Sequence, residues 1–175
     1  MKIIKFLNNK SIAVIGNAAS FLEQDYTERI NKANVVIRMN RFKGLGIRTD
    51  ILATSIPLKE TAILNACHGQ PKFLFYMSDK KDMLNDYLKN TSTFYPDHDR
   101  EILNAALGSR PSTGCMLIDF IHKSVNFKSL RIYGFDFMKT PNAVHGHNRP
   151  GPHNFKREKE YIMKIVNSEK KIKLL

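Results

Sequence analysis

The sequence predicts an α/β domain in which helices flank a mostly parallel sheet. Short apolar runs rich in β-branched and aromatic residues alternate with segments of helical periodicity, which is the pattern of repeated strand–helix–strand units. The chain is 175 residues long and shows no internal repeat and no linker-like segment. A chain of this length can bury one full core, so residues 1–175 are expected to form a single domain.

Four strands are predicted in the first half of the chain, at residues 11–15, 34–39, 50–54 and 73–77. The first is an apolar run that ends at Gly16-Asn17, as a buried parallel strand often does. Residues 18–30 are expected to be helical, because their apolar side chains fall near one helical face. A short helix is expected between the last two strands.

The second half is predicted to contain four helices and two strands: helices at 79–89, 100–107, 111–124 and 155–167, a weak strand at 91–95 and a strand at 130–133. Ser78 or Asp79 is expected to cap the first of these helices, and Gly108 to end the second. Residues 138–152 lack periodicity and are expected to be loop. The lysine-rich residues 170–175 are expected to be a fraying tail.

The formal net charge of +12 favours an anionic partner, such as a nucleotide, a nucleic acid or an acidic lipid surface. Nucleic acid is not expected as a partner, since the sequence shows neither aromatic stacking motifs nor a known nucleic-acid-binding module. No signal peptide or membrane span is visible, and the two cysteines form no disulfide framework. We therefore expect a cytoplasmic protein, with peripheral contact of residues 162–175 to an anionic membrane as a weaker hypothesis.

Two asparagines follow the first two predicted strands. Because parallel strands end at the same sheet edge, Asn17 and Asn40 should lie side by side where ligands of open α/β sheets bind. Their amides suit the hydroxyls of a ribose and the edge of a pyrimidine. Taken singly, each asparagine is as readily a turn former.

Ser112, Thr113 and Gly114 open the apolar helix directly after Arg110-Pro111. Hydroxyls and amides at a helix N-terminus bind phosphate or carboxylate. A glycine in the first turn costs helix stability unless another group must approach closely. The pattern therefore predicts a phosphate-binding turn, with an ordinary serine cap as the alternative.

His153, with Glu158 at the start of the last helix, is a candidate general base, and a surface histidine is the alternative. Glu158 is expected to orient a neighbouring backbone group or side chain. The run His145-Gly-His147 offers two metal-ligand side chains without an evident third, so no metal is expected.

In their order along the chain these motifs resemble those of the sialyltransferases, above all glycosyltransferase family 29. Residues 12–17 through 36–41 resemble the large sialylmotif, and residues 110–114 through 133–135 resemble the small one. His153 with Glu158 resembles the very small motif. The bacterial sialyltransferases of family 42 have a similar Gly-Asn start and a strand end like residues 134–137 here.

The resemblance implies a single Rossmann-like domain and an inverting enzyme that uses neither metal nor cofactor. Its donor would be CMP-sialic acid or another CMP-linked acid sugar, and its acceptor a glycan or glycolipid hydroxyl. A nucleotide-binding protein with altered catalysis is the alternative, and a basic nucleic-acid-binding protein, suggested by the net charge alone, is the less favoured one. The roles implied are His153 as catalytic base, and donor binding by Asn17, Asn40, Ser112, Thr113, Gly114, Gly134, Phe135 and His145.

Overall fold

Seven strands form one sheet in the structure, a computed structural model that describes residues 1–42, 46–146 and 151–175. Strands β1 to β7 are Ser11–Ile15, Val35–Met39, Ile51–Thr54, Phe73–Tyr76, Ser92–Phe94, Ser129–Tyr133 and Ile172–Leu174. They lie in the order β5-β4-β3-β2-β1-β6-β7, and each neighbouring pair is parallel. The α/β class with a mostly parallel sheet is thereby confirmed.

Seven α-helices are present in the described residues. Helices α1 to α7 are Lys2–Leu7, Thr27–Asn31, Glu60–Cys67, Asp86–Thr91, Asp97–Leu107, Thr113–Ser124 and Phe155–Ser168, and two short 3-10 helices are Ala19–Glu23 and Lys81–Met83. No helix in these ranges is long and apolar enough to cross a membrane.

The helices cover both faces of the sheet, because alternate residues of a strand point to opposite sides. Helices α1, α5, α6 and α7 bury the larger core cluster on one face. Helices α2, α3 and α4 cover the other face in two smaller clusters. Strand β1 shows the division, since Ile12 and Val14 lie in the larger cluster and Ala13 and Ile15 in a smaller one.

The helix predicted at residues 18–30 is wrong as one element. It is divided into the 3-10 helix Ala19–Glu23 and helix α2. The division lies at Asp25, whose carboxylate accepts a hydrogen bond from the backbone N–H of Thr27 at 2.8 Å. A side-chain bond of this kind ends one helical segment and begins the next.

The helix predicted at residues 79–89 is also shorter than expected. Helix α4 begins at Asp86, and its cap is Asn85, whose Oδ1 accepts from the N–H of Leu88 at 2.9 Å. Neither Ser78 nor Asp79 caps it, because the Ser78 hydroxyl donates to Asp79 instead at 3.1 Å. Gly108 ends α5 with a φ of 61°, as predicted.

The predicted fraying tail is an ordered strand. Ile172 of β7 pairs with Leu130 of β6, and Leu175 N donates to Ile132 O at 2.9 Å. Ile172 is buried in the larger core cluster. Burial alternates along this strand, since exposed Lys173 lies between buried Ile172 and half-buried Leu174. The many lysines of the segment made this pattern hard to recognise in the sequence.

Candidate functional site

The chain leaves the neighbouring strands β1 and β6 in opposite directions across the sheet. After β1 it continues to β2 on one side, and after β6 it continues to β7 on the other. In open parallel sheets such a switch creates a crevice outside the carboxyl ends of the two strands, where ligands bind. Gly16 and Gly134 directly follow these strands and border the crevice.

The two glycines allow the strand ends to touch. Gly16 N donates to Tyr133 O at 2.7 Å, and Ala18 N donates to Gly134 O at 3.2 Å. A Cβ on Gly16 would lie 2.2 Å from Gly134 O, so a larger residue would have to displace backbone. Gly134 has a φ of +66°, a conformation that L side chains rarely adopt.

A cavity of about 630 Å³ opens at this crevice, and we call it the switch-point cavity. All nine residues predicted for the site line it: Asn17, Asn40, Ser112, Thr113, Gly114, Gly134, Phe135, His145 and His153. They come from the ends of β1, β2 and β6, from the start of α6 and from the segments before α7. That these residues bind a donor stays a prediction.

Asn17 links the end of β1 to the end of β2. Its Nδ2 donates to the carbonyl oxygens of Met39 at 3.2 Å and Arg41 at 2.9 Å. No donor among the described residues contacts its Oδ1, so this acceptor is available at the cavity.

Asn40 uses its side-chain amide within the protein. Its Oδ1 accepts from Ser55 N at 2.9 Å, and its Nδ2 donates to Thr113 Oγ1 at 3.3 Å. The hydroxyl oxygens of Ser55 and Thr113 are hydrogen-bonded at 2.7 Å. Asn40 thus positions Ser55 and Thr113. Ser55 was not among the predicted site residues, although it directly follows β3 as Asn40 follows β2, so the same rule could have identified it.

Glu158 joins the start of α7 to the start of α6. Its carboxylate accepts from Ser112 N at 2.7 Å and from Ser112 Oγ at 2.6 Å. The Ser112 hydroxyl in turn accepts from Cys115 N at 3.2 Å, which is the bond of a helix N-cap. Glu158 is 2% exposed, and burial raises the pKa of its carboxyl group against the opposing hydrogen bonds from Ser112. Glu158 therefore orients both the backbone and the side chain of Ser112, which agrees with the orienting role predicted for it.

Two backbone amides in the first turn of α6 have no hydrogen-bond acceptor among the described residues. In the described ranges no acceptor contacts the N–H of Thr113 or Gly114. Free N–H groups at a helix N-terminus attract anions through hydrogen bonding and the helix dipole. The close approach expected at Gly114 is made by Phe135, since a Cβ on Gly114 would lie 2.6 Å from Cε1 of its ring.

His153 is oriented by one hydrogen bond. Its Nδ1 lies 2.8 Å from the carbonyl oxygen of Arg110. Because a carbonyl can only accept, Nδ1 carries the proton and the lone pair of the neutral ring is on Nε2. The ring also meets that of Phe155 edge-on, with centroids 5.7 Å apart. The geometry suits a base that acts through Nε2.

Residues 134–146, which we call the cavity loop, form the remaining wall. Asp136 holds this loop, because its Oδ2 accepts from Ser20 Oγ at 3.2 Å and from Thr140 N at 2.9 Å. The Thr140 hydroxyl donates to the same atom. The next two residues, Phe137 and Met138, both have a positive φ, which is costly for residues other than glycine.

The predicted histidine run is described only in part. His145 lines the cavity, whereas His147 lies outside the described residues. Within the part of the chain that the structure describes, no group of three histidine, cysteine, aspartate or glutamate side chains is arranged to hold a metal. A metal-free site stays a prediction.

No family model and no curated protein matches the sequence. The structure does match solved structures. A mammalian sialyltransferase covers 98% of this chain and is itself covered over 70%, with a TM-score of 0.68 and 17% sequence identity. The sialyltransferase CstII from Campylobacter jejuni, in complex with CMP-3FNeuAc, covers 95% of this chain and is covered over 81%, with a TM-score of 0.64 and 13% identity.

A variant of CstII in complex with CMP gives a similar result, with a TM-score of 0.66 at 13% identity and coverage of 95% and 81%. At sequence identities of 13% to 17%, these similarities establish the fold alone. The sialyltransferase-type fold that the sequence resemblance implied is confirmed.

Proposed function

We propose that this protein is an inverting, metal-independent sialyltransferase. It moves sialic acid or a related acid sugar from a CMP-activated donor to a hydroxyl of a glycan or glycolipid. The observation that carries the proposal is the position of His153 on the switch-point cavity, with Nδ1 bonded to Arg110 O and Nε2 left as the basic atom. Solved structures of the same fold include complexes with CMP and CMP-3FNeuAc, which supports a CMP-sugar donor.

The start of α6 suits the charged part of such a donor. The leaving group is a phosphate, and the free amides of Thr113 and Gly114 can stabilise it together with the helix dipole. These donors and the positive charge of the chain take the place of a divalent cation. The Oδ1 of Asn17 can accept from a ribose hydroxyl or the cytosine amine, while Asn40 contributes by positioning Thr113.

Bond formation and proton transfer follow from the position of His153. Nε2 takes the proton of the acceptor hydroxyl as its oxygen attacks the anomeric carbon. The new C–O bond forms while the bond to the CMP phosphate breaks, the proton stays on His153, and CMP leaves as an anion. Attack from the side opposite the phosphate inverts the configuration. A positioned base of this kind contributes about 10²- to 10⁴-fold to the rate.

The test is hydrolysis of CMP-sialic acid by the pure protein, with and without EDTA, beside His153→Ala. We expect turnover that EDTA does not change and that falls at least about 100-fold in the variant. His98→Ala is the matched control, because His98 is an exposed histidine of α5 that does not line the switch-point cavity. Equal rates in wild type and His153→Ala would remove His153 from the mechanism.

Thermal unfolding tests donor recognition separately from catalysis. CMP or CDP should raise the unfolding temperature, and AMP or NAD should not. Stabilisation by CMP without turnover would favour the alternative, a CMP-binding protein with altered catalysis. Equal stabilisation by AMP would contradict recognition of cytidine.

We further propose that the enzyme works in the cytoplasm, at the inner face of an anionic membrane. The net charge of +12 and the exposed Lys170 and Lys173 support this contact. Ile172 is buried in β7, so the contact would be electrostatic. Binding to phosphatidylserine vesicles should exceed binding to phosphatidylcholine vesicles, and Lys170→Glu with Lys173→Glu should weaken it. Unchanged binding in the double variant would contradict the proposal for this segment.

A further inference from the structure

A second cavity, of about 350 Å³, lies beside the first, and we call it the side cavity. Thr113 and His153 line both cavities. The candidate base therefore stands between two spaces, and one of them is suited to the donor. If the donor fills the switch-point cavity, the side cavity offers a route by which a second substrate can reach the same imidazole.

The side cavity is lined by cations and, within the described ranges, by no carboxylate. Its charged side chains are Lys80 and Arg110, to which His153 adds a third basic group. No described carboxylate forms an ion pair with the Lys80 ammonium. Among the described residues, Arg110 forms one ion pair, to Asp79 at 3.7 Å. Both side chains are exposed to solvent, so this pair screens the guanidinium only in part.

A buried serine organises the segment that carries these cations. Ser78 is 2% exposed. Its hydroxyl accepts from Lys80 N at 3.3 Å and from a guanidinium nitrogen of Arg110 at 3.4 Å. Tyr76, which also lines the cavity, donates through its hydroxyl to Lys80 O at 3.4 Å. The backbone of Lys80 and the guanidinium of Arg110 are therefore both hydrogen-bonded to residues at the end of β4.

The rest of the lining suits the face of a sugar ring. Ile56, Pro57 and Met83 contribute apolar surface, and Met83 is 64% exposed. Such side chains pack against the C–H groups of a sugar, while Ser55 and Thr113 supply hydroxyls to the same lining.

We infer that the side cavity binds an acceptor glycan that already carries an anionic group, either a carboxylate or a phosphate. Lys80 and Arg110 bind this group while a hydroxyl of the same glycan reaches Nε2 of His153. The inference rests on the proposed transfer reaction and deepens it: the enzyme adds an acid sugar to a glycan that is already acidic. Arginine and lysine are the residues that recognise carboxylate and phosphate groups by charge-assisted hydrogen bonds.

The experiment compares transfer from CMP-sialic acid to three lactosides: a neutral one, one that ends in a carboxylate sugar and one that bears a phosphate monoester. We expect kcat/KM to favour an acidic lactoside about three- to tenfold over the neutral one, and less at high salt. Comparison of the carboxylate lactoside with the phosphate lactoside shows which anion is preferred. The readout in each protein is this ratio, which is independent of how much active enzyme is present.

Lys80→Met should lower the ratio while Arg110 retains part of the preference, and Lys80→Glu should lower it further, to about one or below. Lys89→Met is the matched control, because Lys89 is an exposed lysine of α4 outside both cavities, and its ratio should equal that of the wild type. A ratio that Lys80→Glu leaves unchanged would overturn the inference, as would intact donor hydrolysis without transfer to either acidic lactoside. Absence of any donor hydrolysis would instead overturn the proposed function, and the inference with it.

Discussion

The two walls of the switch-point cavity are held in different ways. The wall made by the strand ends and α6 is held by bonds between residues far apart in the chain, such as Asn40 with Thr113 and Glu158 with Ser112. The cavity loop is held by bonds within itself, such as those from Thr140 to Asp136, and by bonds to residues 17–20, but all of its residues are half-buried or exposed. Changes in the first wall should therefore cost folding free energy, whereas changes in the loop should chiefly alter ligand binding.

The largest effect is expected at Gly16 in the first wall. In Gly16→Ala the new Cβ would lie 2.2 Å from Gly134 O, and the conflict with backbone can be relieved only by moving β1 or β6. We expect the free energy of unfolding to fall by about 3 kcal/mol or more in urea denaturation.

The matched control lies in the cavity loop. Gly146 has a φ of +70°, and no described atom lies within 4 Å of the point that a Cβ would occupy there, so Gly146→Ala meets only the conformational cost. That cost is about 1 kcal/mol. Equal losses for the two variants would show that the strand ends are less closely packed than the structure indicates.

Most of the first wall could be predicted from the sequence, because its residues obey one geometric rule. Parallel strands end at one edge, so the residues after β1 and β2 had to lie together, and Asn17 and Asn40 do. The apolar helix α6 had to pack on the sheet, which brings Ser112 to the same edge. The order of the strands along the chain and the apolar character of α6 were enough to predict where these residues lie.

Other features depend on contacts that the local sequence does not contain, and the tail was predicted wrongly for this reason. The tail at Ile172 becomes a strand only because the edge of β6 is available to it. The bonds of the Asn40 amide to Ser55 and Thr113 join segments far apart in the sequence, and donor binding by Asn40 stays a prediction. A glycine is needed at position 114 because the ring of Phe135, which belongs to a distant segment, lies against it.

A second prediction concerns the pH dependence of the first wall. Burial raises the pKa of Glu158 above the ordinary 4.5, so the folded protein holds this proton more tightly than the unfolded chain. The stabilising contribution of this titration is complete below the unfolded pKa of about 4.5 and is lost as the pH rises through the raised folded pKa. Relative to Glu158→Gln, which does not titrate, the wild type should therefore lose stability over that window.

Urea denaturation of wild type and Glu158→Gln at a series of pH values measures this difference. At neutral pH the amide can accept only one of the two bonds from Ser112, and the variant should be destabilised by about 1–2 kcal/mol. Glu160→Gln, an exposed change on the same helix, should show neither effect. If the wild type and Glu158→Gln differ in free energy of unfolding by the same amount at every pH, the raised pKa of Glu158 is contradicted.

The smallest effect on stability, and the clearest contrast with the first wall, is expected at Asp136 in the cavity loop. Asp136→Ala removes the atom that accepts from Ser20 and from both donors of Thr140. Because these groups are only partly buried, water can replace the lost bonds, and the free energy of unfolding should fall by less than about 1 kcal/mol. The loop would lose its bond to the Ser20 hydroxyl and keep its backbone bonds to residues 17–19, so its position would become less defined and KM for CMP-sialic acid should rise about three- to tenfold. Asp136→Asn keeps one acceptor oxygen and should restore much of the affinity, whereas a loss of stability as large as that of Gly16→Ala would show that the two walls are held alike.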